Sequence, residues 1–167
     1  SRSTPSEILE LMEEIAFCLA KEGWTLRSGG APGADTAFEK GAYRGMDVEL
    51  FEPWPEIYLP WPDFNNHPMG PDFVTPAQWT FNIAAQFHPA WYRLKPAGKL
   101  FHARNVHQVL GPTENSTKSK FIICWTKDSK GGGGTGQAIR IAKAHNIPIY
   151  DLCSESDRMY VCNNFLK

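Results

Sequence analysis

Two glycine-rich segments carry the residue types best suited to chemistry. The first covers residues 28–35 and the second covers residues 130–137. Each is predicted to leave the carboxyl end of a strand and to enter a helix. At such a junction glycine lets a ligand approach the backbone closely, and the helix N-terminus favours a phosphate or a carboxylate. Neither segment has the GxxxxGK[ST] or GxGxxG pattern, which disfavours a P-loop NTPase and an ordinary dinucleotide dehydrogenase.

Several polar residues add candidate contacts to these segments. Asp35 is interpreted either as a cap of the following helix or as an acceptor for a ribose hydroxyl. Arg104, followed by Asn105, lies among apolar neighbours, and its planar guanidinium suits a phosphate or a carboxylate; the same spacing also fits an arginine lying across a helix surface. Thr135 and Gln137 either cap a helix or contact a phosphate or a base. We expect Arg104→Ala to weaken ligand binding and to leave the fold intact.

The elements that must position these residues alternate between helix and strand. Periodicity predicts helices over residues 6–22, 36–45, 77–88, 96–110 and 138–145, and strands over 24–28, 48–51, 120–126 and 147–152. Residues 52–76 are predicted to be a long ordered loop, and the pattern over 158–166 is ambiguous and allows an edge strand. Strand–helix–strand succession implies right-handed parallel crossovers. The predicted fold class is therefore α/β: a Rossmann-like, open and mainly parallel sheet with helices on both faces.

Composition restricts the classes of protein further. The 167 residues suit one domain, with 42% apolar and 21% charged residues, and the net charge of −1 argues against a strongly basic nucleic-acid binder. No apolar run reaches the roughly 20 residues of a membrane span, so no membrane partner is expected. The cysteines and histidines lack metal-ligand spacing, so we expect no metal and reduced thiols in a cytoplasmic protein.

The motifs resemble those of the SLOG superfamily, the Rossmann-like group that includes DprA/Smf, the LOG phosphoribohydrolases and YspA-type proteins. Residues 28–35 are close to its SGGAxGxD, residues 133–138 are close to GGTGxA, and Arg104-Asn105 resembles the RN that YspA-type members place between the two loops. Residues 1–5 resemble the loop GSRxxP that ends a first strand. The chain is thus identified as a single SLOG-like domain, 1–167. A Pro- and aromatic-rich insertion at about 52–95 resembles a smaller phage and bacterial DprA-like subgroup.

The resemblance implies a pocket for a nucleotide or a nucleotide-derived ligand, without a further cofactor. The ligand-binding residues that it implies are Ser1, Arg2, Ser28, Gly29, Gly30, Gly33, Ala34, Asp35, Arg104, Asn105, Gly133, Gly134, Thr135, Gly136 and Gln137. LOG enzymes carry a catalytic Glu in their second loop. Gln137 stands in its place and cannot supply the negative charge that stabilises an oxocarbenium-like centre. No catalytic residue is assigned.

Three functions remain as hypotheses. The first, which we favour, is a sensor or sequestering protein for a nucleotide; Trp54, Tyr58, Trp61 and Trp91 either stack on its base or pack within their loop. The second is a nucleoside-monophosphate N-glycosidase of the LOG type. The third is DprA-like binding of single-stranded DNA through Lys118, Lys120, Lys127 and Lys130, which is less favoured because four lysines at a loop rim are usually a solvated surface. A homo-oligomer is also allowed, since relatives often pair through helices that flank the sheet.

Overall fold

The computed structural model describes residues 3–47, 49, 53–67 and 73–166, and for residues 73 and 74 the backbone alone. Within these ranges the chain forms six α-helices and five β-strands. In chain order they are α1 (Ser6–Lys21), β1 (Arg27–Ser28), α2 (Ala34–Gly45), β2 (Glu56–Tyr58), β3 (Phe73–Val74), α3 (Gln78–Gln86), α4 (Pro96–Leu110), β4 (Ile122–Cys124), α5 (Gly133–Ala144), β5 (Ile149–Asp151) and α6 (Glu155–Phe165). The five predicted helices are confirmed, with ends that shift by a few residues.

The strands form two separate sheets, and every strand pair is parallel. One sheet has the order β1-β2-β3, with Arg27 opposite Glu56 and Ile57 opposite Phe73. The other contains β4 and β5, with Ile122 opposite Ile149. Alternation of helices with parallel strands makes the fold α/β, as predicted. The sequence predicts a single open sheet, whereas the structure has two separate parallel sheets.

Helices pack on both sides of the β4-β5 sheet because neighbouring strand residues point to opposite faces. Ile123 packs with a buried cluster from α1, α2 and α6 that includes Met12 and Ile15. Ile122 packs with a second cluster from α3, α4 and α5 that includes Val106 and Ile141. No helix in the described part of the chain is long and apolar enough to cross a membrane.

The Pro-rich segment contains a strand where the sequence predicts loop. The predicted strand at 48–51 falls mainly on residues that the structure does not describe, whereas β2 lies at Glu56–Tyr58, within the segment interpreted as a long loop. Ile57 and Leu59 are buried, and they cluster with Phe64, Trp61 and the α4 residue Phe101. This apolar packing holds β2 and the residues up to Phe64 against α4.

The edge strand that the sequence allows at 158–166 is wrong. These residues belong to α6, whose N-cap Ser154 accepts a hydrogen bond from the Asp157 backbone N–H at 3.4 Å. Glu155 and Asp157 lie in the first turn, where negative charge favours a helix. A serine N-cap followed by acidic residues is the sequence signal that predicts this helix start.

Candidate functional site

The first glycine loop is folded around a buried carboxylate. Ser28 Oγ donates to Glu39 Oε1, and the Gly30 backbone N–H donates to the same oxygen at 3.1 Å. His67 Nε2 lies 3.0 Å from Glu39 Oε2. Desolvation by burial raises the pKa of the Glu39 carboxyl, and the hydrogen bond from Ser28 partly opposes this effect. One amide of the predicted anion loop is therefore already used by an acidic side chain.

Asp35 uses a second amide of the same loop. Asp35 Oδ2 accepts a hydrogen bond from the Ala31 N–H at 3.1 Å, and Ala31 lies in the loop before the helix. The interpretation of Asp35 as a helix cap is wrong, because Asp35 lies within α2 and no side chain among the described residues caps the start of this helix. Gly33, the N-cap residue of α2, has a φ of 92°, a backbone conformation that residues with a side chain rarely adopt. Ala34, the next residue, is buried. The Asp35 side chain remains 23% exposed. The loop therefore offers a carboxylate to a ligand in addition to backbone groups.

Arg104 attaches α4 to the first loop. Its guanidinium donates to the Gly29 carbonyl oxygen, and Nη1 lies 3.8 Å from Asp35 Oδ2. The Arg104 side chain is buried, and its guanidinium carbon lies 5.8 Å from the centre of the Phe101 ring. A Cβ at Gly29 would overlap this guanidinium, so a larger residue there would require the Arg104 side chain to move. Arg104 is therefore a structural residue as well as a candidate ligand contact, and Arg104→Ala is not expected to leave the fold unaffected.

The second glycine segment forms both a loop and the start of α5. Because α5 begins at Gly133, most of the predicted loop lies in the first helical turn. The Gly131 N–H donates to Thr126 Oγ1 at 3.2 Å, and Thr126 is held in turn by the buried Asp151. A Cβ at Gly132 or Gly133 would meet no atom within 4 Å. These two glycines therefore face open space at the positive end of a helix.

Asn105 attaches α4 to the second segment. Its Nδ2 donates to the Gly134 carbonyl oxygen at 3.1 Å and to Gln137 Oε1 at 3.3 Å. Gln137 is completely buried, and its amide also contacts His102 Nδ1 at 2.8 Å and the Ala84 carbonyl oxygen at 3.2 Å. Burial lowers the pKa of His102. The structure thus places Gln137 in a network that joins α3, α4 and α5.

Both glycine segments open onto one cavity of about 1070 Å³. Of the residues that the sequence predicts to bind a ligand, those that line it are Ser28, Ala34, Asp35, Arg104, Asn105, Gly133, Gly134 and Thr135. The others in the described part of the chain lie outside its lining: Gly29, Gly30, Gly33, Gly136 and Gln137. Ser1 and Arg2 lie outside the described residues. The consecutive residues Arg104 and Asn105 therefore join both segments at the wall of one cavity.

The four lysines considered for DNA binding lie at the two ends of β4, and two of them are near the second glycine segment. Lys118 and Lys120 precede the strand, whereas Lys127 and Lys130 follow its carboxyl end, near the second glycine segment. All four are exposed and line the cavity. The strand separates them into two pairs at opposite ends, because each residue advances the chain by about 3.3 Å. DNA binding through these four lysines therefore stays a prediction that would have to span both ends of β4.

The aromatic residues considered for base stacking all have protein partners. Tyr58 is buried and stacks on His107 with ring centres 5.2 Å apart. Trp61 packs edge-on against Phe101 at 5.1 Å. Trp54 contacts the Tyr43 ring and Trp91 contacts the His88 and Phe81 rings. Each of these rings therefore packs against another ring of the protein, as the packing alternative expects.

Some residues of the site had a weak signal in the sequence and others had none. Asp35 and Glu39 are four residues apart on α2, the spacing that places both carboxylates on one helix face. His67, Thr126 and Asp151 reach the loops from other segments, so local spacing does not point to them. No group of three metal-ligating side chains is found among the residues that the structure describes.

Comparison with known proteins does not identify a family for this chain. No family model, no curated protein and no solved structure matches the chain.

Proposed function

We propose that this protein binds a nucleotide or a nucleotide-derived ligand at the mouth of the cavity, as a sensor or sequestering protein. The observation that carries the proposal is the arrangement around Arg104 and Asn105. These neighbours on α4 contact Gly29 and Gly134, one in each glycine segment, beside a single cavity. In open α/β sheets, ligands bind outside the carboxyl ends of the strands, which is where both segments lie. The proposal includes the Rossmann-like, SLOG-type sheet that the motifs resemble.

The charges at the cavity mouth support an anionic ligand with hydroxyl groups. Arg104, Lys127 and Lys130 are basic, whereas Asp35 is the one acidic residue among the described residues of the whole cavity wall. Open space at Gly132 and at the amino end of α5 suits a phosphate group. The Asp35 carboxylate suits a sugar hydroxyl, which is a hydrogen-bond donor. A nucleoside phosphate has both groups.

The same wall offers little to the hydrolytic alternative. Glycosidases usually use two carboxylates on either side of the scissile bond. Glu39 is buried behind the first loop, bonded to Ser28 and Gly30, and does not line the cavity. Asp35 is the one carboxylate that the described residues contribute to the wall, and these contacts favour binding over cleavage.

Thermal melting with a panel of nucleotides tests the proposal. Ligand-free protein is melted with AMP, GMP, ADP, ATP, cyclic AMP and NAD. A ligand at about 100 times its Kd stabilises the protein by about 2.7 kcal/mol. We expect at least one nucleotide to raise the melting temperature. Equal melting temperatures throughout the panel would reject the proposal.

Two substitutions locate the binding. Gly132 is the N-cap residue of α5 with φ of −80° and ψ of 169°, a conformation that valine adopts readily. Gly132→Val therefore adds bulk to the open space and should abolish the nucleotide response while the variant alone still folds. Lys127→Ala should weaken the response, whereas Lys143→Ala, an exposed lysine near the other end of α5, is the matched control. An unchanged response in Gly132→Val would place the ligand elsewhere.

A further inference from the structure

The cavity extends from its mouth into the space between the two sheets. Its wall includes residues 24–28, which run through β1, and residues 117–127, which run through β4. A strand that presents a face exposes alternate residues, whereas a strand that presents an edge exposes consecutive ones. These unbroken runs show that β1 and β4 both turn an edge toward the cavity.

The hydrogen bonds define which backbone groups point into this space. The Leu26 carbonyl oxygen accepts from the Glu56 N–H at 2.8 Å, so Leu26 points toward β2. The Ile122 N–H donates to the Pro148 carbonyl oxygen at 2.9 Å, so Ile122 points toward β5. Backbone groups alternate sides along a parallel strand. The N–H and C=O groups of Arg27 and Ile123 therefore point toward the cavity.

The two remaining walls of this space are helices. The α1 side is apolar, with Ala16 and Leu19, whereas the α4 side combines apolar and polar residues: Phe101, Val109, His102, Arg104, Asn105 and Gln108. A strand with helices on both faces is buried on both faces, and such strands are rich in apolar residues. The space thus combines two strand edges, whose Arg27 and Ile123 backbone groups point into it, with one apolar wall and one mixed wall.

The direction of α1 shows how a strand in this space would join the chain. Gly41 of α2 packs on the backbone of Glu13, and Gly45 packs on that of Phe17, so α1 and α2 run in the same direction. Because α2 starts just after the carboxyl end of β1, α1 starts at that same edge of the sheet. Ser3, just before α1, lines the cavity. A strand that ends near Ser3 therefore runs parallel to β1, with α1 as its crossover helix to β1.

We propose that the cavity accepts one extended apolar β-strand, parallel to β1 and β4 and supplied by polypeptide joined to the amino-terminal side of Ser1. A strand as long as residues 24–28 spans ~17 Å and pairs with both edges. It unites the two sheets into one, in the order β3-β2-β1, the added strand, β4-β5. Its carboxyl end stops below the glycine segments, so the mouth of the cavity stays open. The inference is independent of the nucleotide proposal, since it concerns the backbone edges alone.

Amide hydrogen exchange, measured by NMR without any nucleotide, tests the inference. A pentapeptide of alternating valine and isoleucine is fused directly before Ser1, and a glycine–serine pentapeptide is the matched control. With the apolar extension, the amides of Arg27 and Ile123 should exchange ~100-fold more slowly than in the control. The melting temperature should rise as well, because the strand buries apolar surface in the cavity.

Two outcomes would overturn the inference. The first is exchange at Arg27 and Ile123 that is as fast in both extended proteins as in the unextended chain. The second is exchange that both extensions slow by the same factor relative to the unextended chain, which would show that any added polypeptide has this effect. A failure of nucleotide binding would leave both exchange measurements unaffected, so the two proposals fail separately.

Discussion

Alanine at Gly136 should damage the second glycine segment, whereas alanine at Gly132 should not. A Cβ at Gly136 would overlap the Gly131 carbonyl oxygen and lie 2.6 Å from its carbonyl carbon. Both are backbone atoms, so they cannot move aside as a flexible side chain does. Gly131 is also fixed by its hydrogen bond to Thr126, a buried residue bonded to Asp151. Relief of the overlap therefore requires a shift of the loop itself.

The size of the effect follows from two opposing contributions. Alanine within a helix is favoured over glycine by about 1 kcal/mol. An overpacked side chain against rigid surroundings costs about 3 kcal/mol or more. The net loss for Gly136→Ala is about 2–4 kcal/mol, which lowers the melting temperature of a chain of this length by roughly 10 °C. For Gly132→Ala, with no atom within 4 Å of the new Cβ, the change should stay within about 0.5 kcal/mol.

Urea denaturation of the two variants measures this difference directly. Both carry the same substitution four residues apart, so their unfolded chains are closely matched. We expect the unfolding midpoint of Gly136→Ala to fall well below that of the parent and that of Gly132→Ala to remain near it. Equal midpoints would show that the close approach of residues 131 and 136 is not maintained in solution, and the reasoning would be refuted.

Two further predictions concern charged groups beside the first glycine loop. Arg104→Met should lower the free energy of unfolding by about 2–4 kcal/mol, because it removes the hydrogen bond to the Gly29 carbonyl oxygen and the cation beside Asp35. Urea unfolding measures this free energy. An unchanged value would argue against the buried position of Arg104. Glu39→Gln should change the pH dependence of stability. Burial raises the Glu39 pKa above its ordinary value of 4.5, so the folded state holds the proton more tightly. Stability should fall as pH rises from about 4.5 through the folded pKa, and should show no such fall in Glu39→Gln when unfolding is measured across this pH range; parallel pH profiles would contradict the assignment.

The helices were predictable because their signals are local. Ile8, Met12, Ile15 and Leu19 recur at helical spacing in α1, and all four are buried. The strands were harder to predict because they are short and their position depends on distant partners. Glu56–Tyr58 is a strand because it pairs with β1 and β3 and packs on Phe101, and no local pattern records those contacts.

The glycine segments were equally visible in the sequence, but the contacts that hold them were not. Arg104 binds a backbone carbonyl oxygen 75 residues away, and a carbonyl oxygen is present at every residue. Side-chain types therefore cannot reveal such a partner. Gln137 shows the same limit: its position in the motif suggests a ligand contact, whereas the structure buries it against His102 and Asn105.

The two glycine segments resemble each other in sequence but differ in electrostatics, and this difference restricts which ligand the proposed site could bind. In the first, the N–H groups of Gly30 and Ala31 are bonded to the carboxylates of Glu39 and Asp35, so negative charge already occupies the inner side of the loop. In the second, the corresponding bond runs from Gly131 to the neutral hydroxyl of Thr126. An anionic group placed against the first loop would approach Asp35, and like charges repel more strongly where water is excluded. A ligand with phosphates at both ends is therefore disfavoured, whereas one with a phosphate at the α5 end and hydroxyl donors at the Asp35 end matches both segments.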